Sequence, residues 1–189
     1  MIKIKTERDG RVSQGDVLRN IDYIERIQEA RGILEVSKIA FPYIIVLTQD
    51  CDLEQDNNLR EIPKETQDKL LISVLVAPLY NAEHFFNGEH LSTIGITSRI
   101  FDKKDRFADY IKSNQSARFH FLEFPSDFSL VDSIIDFKHY FSVPTPYIRE
   151  MKKANYVCTV SELYREDISH RFASFLSRIG LPDMPKAKK

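Results

Sequence analysis

The side chains best suited to chemistry follow directly after one apolar segment. The run from Phe41 to Leu47 is rich in β-branched residues, and it is followed by Thr48, Gln49, Asp50, Cys51 and Asp52. The run is long enough for one buried strand and too short to span a membrane, so it predicts a buried strand. A strand end beside a loop holds side chains rigidly while solvent reaches them. We therefore take Asp50, Cys51 and Asp52 as candidate catalytic residues and Thr48 and Gln49 as candidate binding residues.

These residue types could act in two ways. Negative charge on both sides of Cys51 disfavours its thiolate, so a nucleophilic role requires His120 or Arg118 from elsewhere in the fold. On an extended chain, Asp50 and Asp52 point to the same face, where they could serve as a general base or hold a metal ion. The competing interpretation is structural, with the two aspartates opening a turn and the cysteine acting as a small apolar side chain.

Most sequence signatures of known enzyme classes are absent. The chain has 6 Gly and carries neither a Walker-type loop nor a dinucleotide-binding glycine pattern. Gly-x-Ser-x-Gly and His-Glu-x-x-His are missing as well. A metal site built from Asp50, Cys51, His84 and His90 would mix hard and soft ligands, and its two histidines lack the i, i+4 spacing of a helical site. We therefore predict no metal and no cofactor.

Composition limits the partners. A formal net charge of -1 excludes a protein-wide basic field, although Lys103, Lys104 and Arg106 form a local cluster. That cluster is either a solvated helix start or a phosphate-contacting patch. The N-terminal residues lack the apolar core of a signal peptide and no apolar run is long enough for a membrane span, so we expect a cytoplasmic protein with no membrane partner. The two cysteines are then expected to be free thiols.

The apolar pattern predicts a single α+β domain over 1–189. Its β-rich barrel core covers about 13–53, 70–79 and 118–146, with 43–48 and 70–79 as neighbouring central strands. A turn at 13–16 precedes the first strand, and further strands are predicted at 118–125 and 129–143. Residues 54–69 are charged and amide-rich, which predicts a solvated surface excursion.

Helices are predicted around this core. A helical insertion is expected at about 80–117, and a packed C-terminal helix at about 161–180. The C-terminal helix carries one apolar stripe, made of Ile168, Phe172, Phe175, Leu176 and Ile179. The spacing of Ile21, Ile24 and Ile27 fits either a short helix over 21–31 or one strand of a long hairpin arm, and the sequence leaves both open.

The order of these segments resembles the PemK/MazF-type toxin family. The matching segments are the sequence Gly-Asp-Val-Leu at 15–18, the strand and following threonine at 41–48, and the segments 72–78, 129–143 and 161–181. The resemblance implies an SH3-like barrel with a C-terminal helix, in a bacterial protein of the toxin–antitoxin or defence kind. The family's ribonucleases carry an arginine just before the strand proline, where this chain has Phe41. Leu79 and Tyr80 occupy the place of the family's Ser or Thr, so the resemblance supports the barrel without the usual ribonuclease chemistry.

Three functions stay open from the sequence. The leading hypothesis is a barrel that binds nucleic acid or a partner protein near 48–53 and 118–120. The second is a nuclease in which Asp50, Asp52 and His120 are acid/base groups and Arg118 contacts phosphate. The third is a non-catalytic module that forms a homodimer through the C-terminal helix or an edge strand.

Overall fold

The computed structural model describes residues 1–60, 66–101 and 106–178. In it, an 8-stranded antiparallel sheet curls into a half-barrel, which confirms a mixed α and β fold. The strands are β1 (Ile4–Lys5), β2 (Asp16–Ala30), β3 (Ile33–Val46), β4 (Ser73–Asn81), β5 (Phe119–Leu122), β6 (Ser133–Asp136), β7 (Phe141–Pro144) and β8 (Tyr156–Val160). Their order is β1-β8-β2-β3-β4-β6-β5, and β7 also pairs with β4.

Strand β4 is shared by two parts of the sheet. Its first residues, Ser73 to Val76, pair with β7, its middle residues, Val76 to Pro78, pair with β3, and its last residues, Leu79 to Asn81, pair with β6. The predicted pairing of the two central apolar runs is confirmed, since Ile45 lies opposite Ala77 and Val46 opposite Val76. Ile44 and Ile45 point to opposite faces and are both fully buried, so the sheet is covered on both sides here.

Helices cover the sheet and divide the core into three clusters. The helices are α1 (Asp50–Arg60), α2 (Ala82–Phe86), α3 (Arg106–Lys112), α4 (Thr145–Asn155) and α5 (Glu162–Leu176), with 3-10 turns at Ser92–Ile94 and Phe137–His139. Helix α5 packs on the sheet through Ile168, Phe172 and Phe175. Helix α4 closes a second cluster, and α2 and α3 form a third with β5 and β6. None of the helices in the described ranges combines the length and apolar character needed to cross a bilayer.

The segment 21–31 belongs to a hairpin, so the short helix was the wrong alternative and the hairpin arm the right one. Strands β2 and β3 pair along almost their whole length and turn at Arg31 and Gly32, both of which have positive φ. Such a two-residue turn matches the twist of the flanking strands. The misleading helical spacing has a local cause, because the ladder shifts register between Ile24 and Arg26. One extra residue in the ladder lets Ile24 and Ile27 share a face.

Several other elements differ from the sequence prediction. The expected surface excursion at 54–69 begins as helix α1, which buries Leu53 and Asp56, while 61–65 lies outside the described residues. The predicted strand at 129–143 is interrupted by a 3-10 turn. Helix α4 and strand β8 were not predicted. The C-terminal helix is present, although Leu176 of its stripe is half-exposed and Ile179 lies outside the described residues.

A buried ion pair joins the start of β2 to α4 and β8. The carboxylate of Asp16 is 0% exposed and accepts hydrogen bonds from Lys152 Nζ at 2.8 Å, Thr159 Oγ1 at 2.6 Å and the Ser13 amide at 2.7 Å. Lys152 is itself buried, also reaches Asp9 at 3.1 Å and lies over the Tyr156 ring. Because every donor around Asp16 comes from a different segment, the pair holds these segments in one arrangement.

We expect removal of either partner of this pair to destabilise the fold strongly. Asp16→Ala leaves the Lys152 ammonium buried without its main partner, which should lower the free energy of unfolding by about 3–5 kcal/mol. Lys152→Met should cost a similar amount, and the double variant should cost clearly less than the sum of the two. Urea unfolding of the four proteins measures this.

The neighbouring Lys153→Met is the matched control for this cycle, because its side chain is exposed on the same helix. It should change the free energy of unfolding by no more than about 0.5 kcal/mol. A loss below about 1 kcal/mol for Asp16→Ala would contradict the role assigned to the pair.

Candidate functional site

The polar motif after β3 lies at the start of helix α1. Thr48 Oγ1 accepts a hydrogen bond from the Leu75 amide at 2.7 Å and so fixes the chain against β4. Asp50 accepts two hydrogen bonds from Arg11, at 3.1 and 2.9 Å, and one from the Gln14 amide at 3.1 Å. It also forms an ion pair with Arg165 at 3.2 Å. Its oxygens are therefore already occupied by three residues, two from the N-terminal segment and one from α5.

The environment of Asp50 favours its charged form. Burial raises the pKa of this carboxyl, but the hydrogen bonds from Arg11 and the Gln14 amide outweigh burial and leave the pKa below its usual value. A carboxylate held in this way is a weak general base. Its contacts therefore support the structural interpretation of Asp50.

The expectation that Asp50 and Asp52 share a face is wrong, because the chain is helical at this point. Successive helical side chains are rotated by about 100°, so residues two apart point in nearly opposite directions. Cys51 and Asp52 are exposed, and the Cys51 Sγ lies 3.8 Å from Gln49 Oε1 and from Asp52 Oδ1. In the described ranges no three metal-ligating side chains lie close enough together to hold an ion.

His120 and Arg118, the partners sought for this motif, have other contacts. His120 is buried in β5 next to Phe137, and its Nδ1 has no hydrogen-bond partner. Arg118 donates two hydrogen bonds to Asp136, at 2.8 and 2.5 Å. In the described part of the chain, no hydrogen bond or ion pair connects either residue to 48–52. The acid/base set of Asp50, Asp52 and His120 therefore has no shared contact in this structure.

A different group of functional side chains lines a cleft of about 580 Å³ between β6, the 3-10 turn at Phe137–His139 and the segment after α2. Ligand sites are commonly clefts of about 300–1,000 Å³ with an apolar wall and a few polar groups. The lining residues are Phe85, His90, Leu91, Ile96, Thr97, Ser98, Arg99, Phe101, Phe107, Ser116, Arg118, Phe119, Asp136, Lys138 and His139. We refer to this site as the cleft.

Asp136 organises the polar wall of the cleft. Its buried carboxylate is paired with Arg118, accepts a hydrogen bond from the Lys138 amide at 3.0 Å and lies 3.5 Å from His139 Nδ1. The same His139 nitrogen is 3.1 Å from the hydroxyl of Tyr80. Arg118 remains more than one-third exposed, so part of its guanidinium is available to a ligand. The cleft thus presents a rigidly held cation.

Two neutral imidazoles complete this wall. Burial, together with the neighbouring His139, lowers the pKa of His90 to about 4, and its buried Nδ1 has no hydrogen-bond partner. The His90 ring packs against Tyr80 and Phe85, with ring centroids 4.8 and 4.6 Å apart. Burial also lowers the pKa of His139. Both imidazoles are therefore uncharged near neutral pH, and each can donate a hydrogen bond to a ligand or accept one from it.

The opposite wall is aromatic. Phe101 and Phe107 line the cleft, and Tyr110 continues their stack beyond the lining, with centroid distances of 5.8 Å between neighbouring rings. Arg99 lies over the Phe101 and Phe107 rings at 5.0 and 5.6 Å. Phe107 is 37% exposed and Tyr110 42% exposed, so the stack is open to solvent. Such a surface can accept a further flat ring.

Gly88 holds the loop that carries this wall. Its φ is +74°, and an added Cβ would lie 2.8 Å from the backbone oxygen of Ser98. The Phe101 amide also donates to the Phe86 carbonyl at 2.8 Å. Only glycine allows the chain after α2 to approach 98–101 this closely, so this residue sets the shape of the cleft.

Comparisons with known proteins add no relationship: no family model, no curated protein and no solved structure matches this chain.

Of the residues in this cleft, the sequence predicted Arg118 as a binding residue. It was expected to lie near 48–53, but its hydrogen bonds are to Asp136. Tyr80, Asp136 and His139 were not selected, because they are scattered along the chain without a recognisable motif. His90 was considered only as a weak metal ligand. Lys103 and Lys104 of the predicted basic patch lie outside the described residues, and Arg106 begins α3.

The buried His120 makes a testable contribution to acid sensitivity. Burial, followed by the charge of the Arg171 guanidinium, lowers the pKa of His120 to about 3. The unfolded chain therefore binds a proton at His120 below about pH 6.5, whereas the folded protein binds it only near pH 3. Stability is therefore lost as the pH falls from about 6.5 to 3. We expect this loss in the wild type to exceed that in His120→Phe by up to about 4 kcal/mol, measured by urea unfolding at each pH.

The exposed His84 provides the control for this comparison, and the pH profile of His84→Phe should follow that of the wild type. Parallel profiles for the wild type and His120→Phe would show that the imidazole takes up its proton in the folded state, against the expectation.

Proposed function

We propose that this protein binds single-stranded nucleic acid in the cleft. The observation that carries the proposal is the meeting, in one cavity, of basic side chains with an open aromatic stack. Among the described residues that line the cleft, Arg99, Arg118 and Lys138 are basic and Asp136 is acidic. This local balance is basic although the chain as a whole carries a net charge of -1.

The basic wall suits a phosphate group. Arg118 is held in place by Asp136, so its side chain has little conformational freedom left to lose when it contacts a phosphate oxygen. Lys138 is exposed at the rim, where it can approach a neighbouring phosphate. Phosphate contacts of this kind give affinity and position without reading sequence.

The aromatic wall suits an unpaired base. The Phe101–Phe107–Tyr110 stack presents ring faces that a base can extend, and base–aromatic stacking typically contributes about 1–3 kcal/mol per base. A base inside a duplex has both faces covered, so this contact requires an unpaired strand. The ring nitrogens of His90 and His139 can then exchange hydrogen bonds with the base edge or with a ribose hydroxyl.

The resemblance to PemK/MazF-type proteins extends this proposal. We assign the half-barrel to an SH3-like barrel carrying a helical insertion at about 80–117, and we assign the protein to the toxin–antitoxin or defence kind. Support comes from the order of the apolar segments and from the packed helix α5. The absence of the family's arginine and Ser or Thr favours binding without the usual ribonuclease chemistry.

The proposal predicts that Lys138→Ala weakens binding of a labelled single strand of about 12 nucleotides and lowers its salt dependence. One lost phosphate contact should reduce the slope of log K against log salt by about 0.7. Fluorescence anisotropy with RNA and DNA at several salt concentrations measures both quantities. Lys153→Ala removes the same charge from an exposed position on α4, outside the cleft, and should leave both unchanged.

Phe107→Ala tests the aromatic wall separately. Loss of stacking should weaken single-strand binding by a factor of about 5 to 100, with no change in the salt slope, because no charge is removed.

A duplex of the same sequence should bind more weakly than the single strand to the wild type. Equal binding by the wild type and both cleft variants, or tighter binding of the duplex, would refute the proposal. Strand cleavage in the same samples, with and without Mg²⁺, would indicate a nuclease instead.

A further inference from the structure

The hairpin formed by β2 and β3 extends beyond the sheet, and we call residues 24–38 the arm. Every residue of the arm is exposed except Gln28, which is half-buried. Its side-chain hydrogen bonds stay within the hairpin, linking Gln28 to Glu35 at 2.5 Å and Ser37 to Glu25 at 2.8 Å. A two-stranded hairpin is at best marginally stable by itself in water. The arm therefore has the form of an element that becomes fully stable only when it is covered.

One face of the arm is apolar. The cross-strand pairs Ile24–Lys38, Ile27–Val36 and Glu29–Leu34 follow each other on this face, because the extra residue after Ile24 keeps Ile24 and Ile27 on the same side. Their aliphatic side chains are exposed by 50–65%. Isolated exposed apolar residues are ordinary, but a continuous patch on a projecting element marks an interaction surface. The pair of Gln28 and Glu35 lies on the opposite face.

The charges on the apolar face are arranged for self-association. Lys38 lies on the side toward the sheet, where its ammonium pairs with Asp22 at 2.6 Å while its side chain stays 56% exposed. Glu29 lies on the side toward the tip, and the Ile27–Val36 pair is midway between them. When two arms lie face to face in opposite directions about a two-fold axis at this central pair, Lys38 of each copy comes diagonally opposite Glu29 of the other. The same patch then supplies both sides of the contact, as a two-fold dimer requires.

We propose that the arm is a dimerisation element that pairs face to face with the arm of a second copy of this chain. The contact buries Ile24, Ile27, Leu34 and Val36 of both copies and brings Glu29 of each copy to the Lys38 ammonium of the other, which then bridges Glu29 and its own Asp22. Four aliphatic residues on each side give less area than the ~800 Å² per partner of a standard interface. The dimer is accordingly weak and reversible, with a Kd on the order of 10–100 μM.

The test is sedimentation equilibrium of the full chain from about 5 to 500 μM. The wild type should pass from monomer to dimer across this range, and Ile27→Lys should stay monomeric because it places a charge at the centre of the contact. Ile33→Lys is the matched control: Ile33 is as exposed as Leu34 but lies on the opposite face of the arm, so this variant should still dimerise. Circular dichroism checks that each variant is folded.

A charge exchange tests the orientation. Lys38→Glu should weaken the dimer at least 3-fold, and adding Glu29→Lys should restore it. A wild type that stays monomeric at 500 μM would overturn the proposal, as would association that Ile27→Lys leaves unchanged. Failure of the double exchange to restore the dimer would overturn the antiparallel arrangement. Lys138→Ala should dimerise normally, so this test is independent of the nucleic-acid proposal.

Discussion

The buried carboxylate of Asp16 is the constraint that brings the start of β2 together with α4 and β8. A charge in this position has lost its water and is stable only while Lys152, Thr159 and the Ser13 amide surround it. Those donors belong to α4, β8 and the turn before β2, so the three segments have to meet at one point. Gly15 allows the close approach, since an added Cβ there would lie 3.3 Å from the Val160 carbonyl oxygen.

The polar motif at 48–52 belongs to this same arrangement. Asp50 binds Arg11 and Arg165, which ties the start of α1 to the N-terminal segment and to α5. Thr48 fixes the motif to β4. The cluster of polar residues after β3 is thus explained by its structural contacts. The cleft lies with the third core cluster, where α2, α3, β5 and β6 meet.

The predictable parts of the fold are those with a strong local pattern. The central strands β3 and β4 could be assigned because burial on both faces leaves a short continuous apolar run, and α5 because burial on one face leaves an apolar stripe at helical spacing. The helix wrongly considered at 21–31 shows the opposite case, since a bulge gave a strand the apolar spacing of a helix. Helix α1 was missed because its residues are mostly polar and only Leu53 and Asp56 are buried. The cleft could not be predicted, because Tyr80, His90 and Asp136 meet only through tertiary packing.

Strand β4 carries a consequence for how the protein unfolds. Its first half is bonded to β3 and β7 and its second half to β6, so one continuous strand belongs both to the half-barrel and to the layer beneath the cleft. If the hydrogen bonds along one half of β4 break, the other half loses the support of the same strand. The two parts should melt as one cooperative unit, and the segment that carries the cleft cannot be excised as an independent domain.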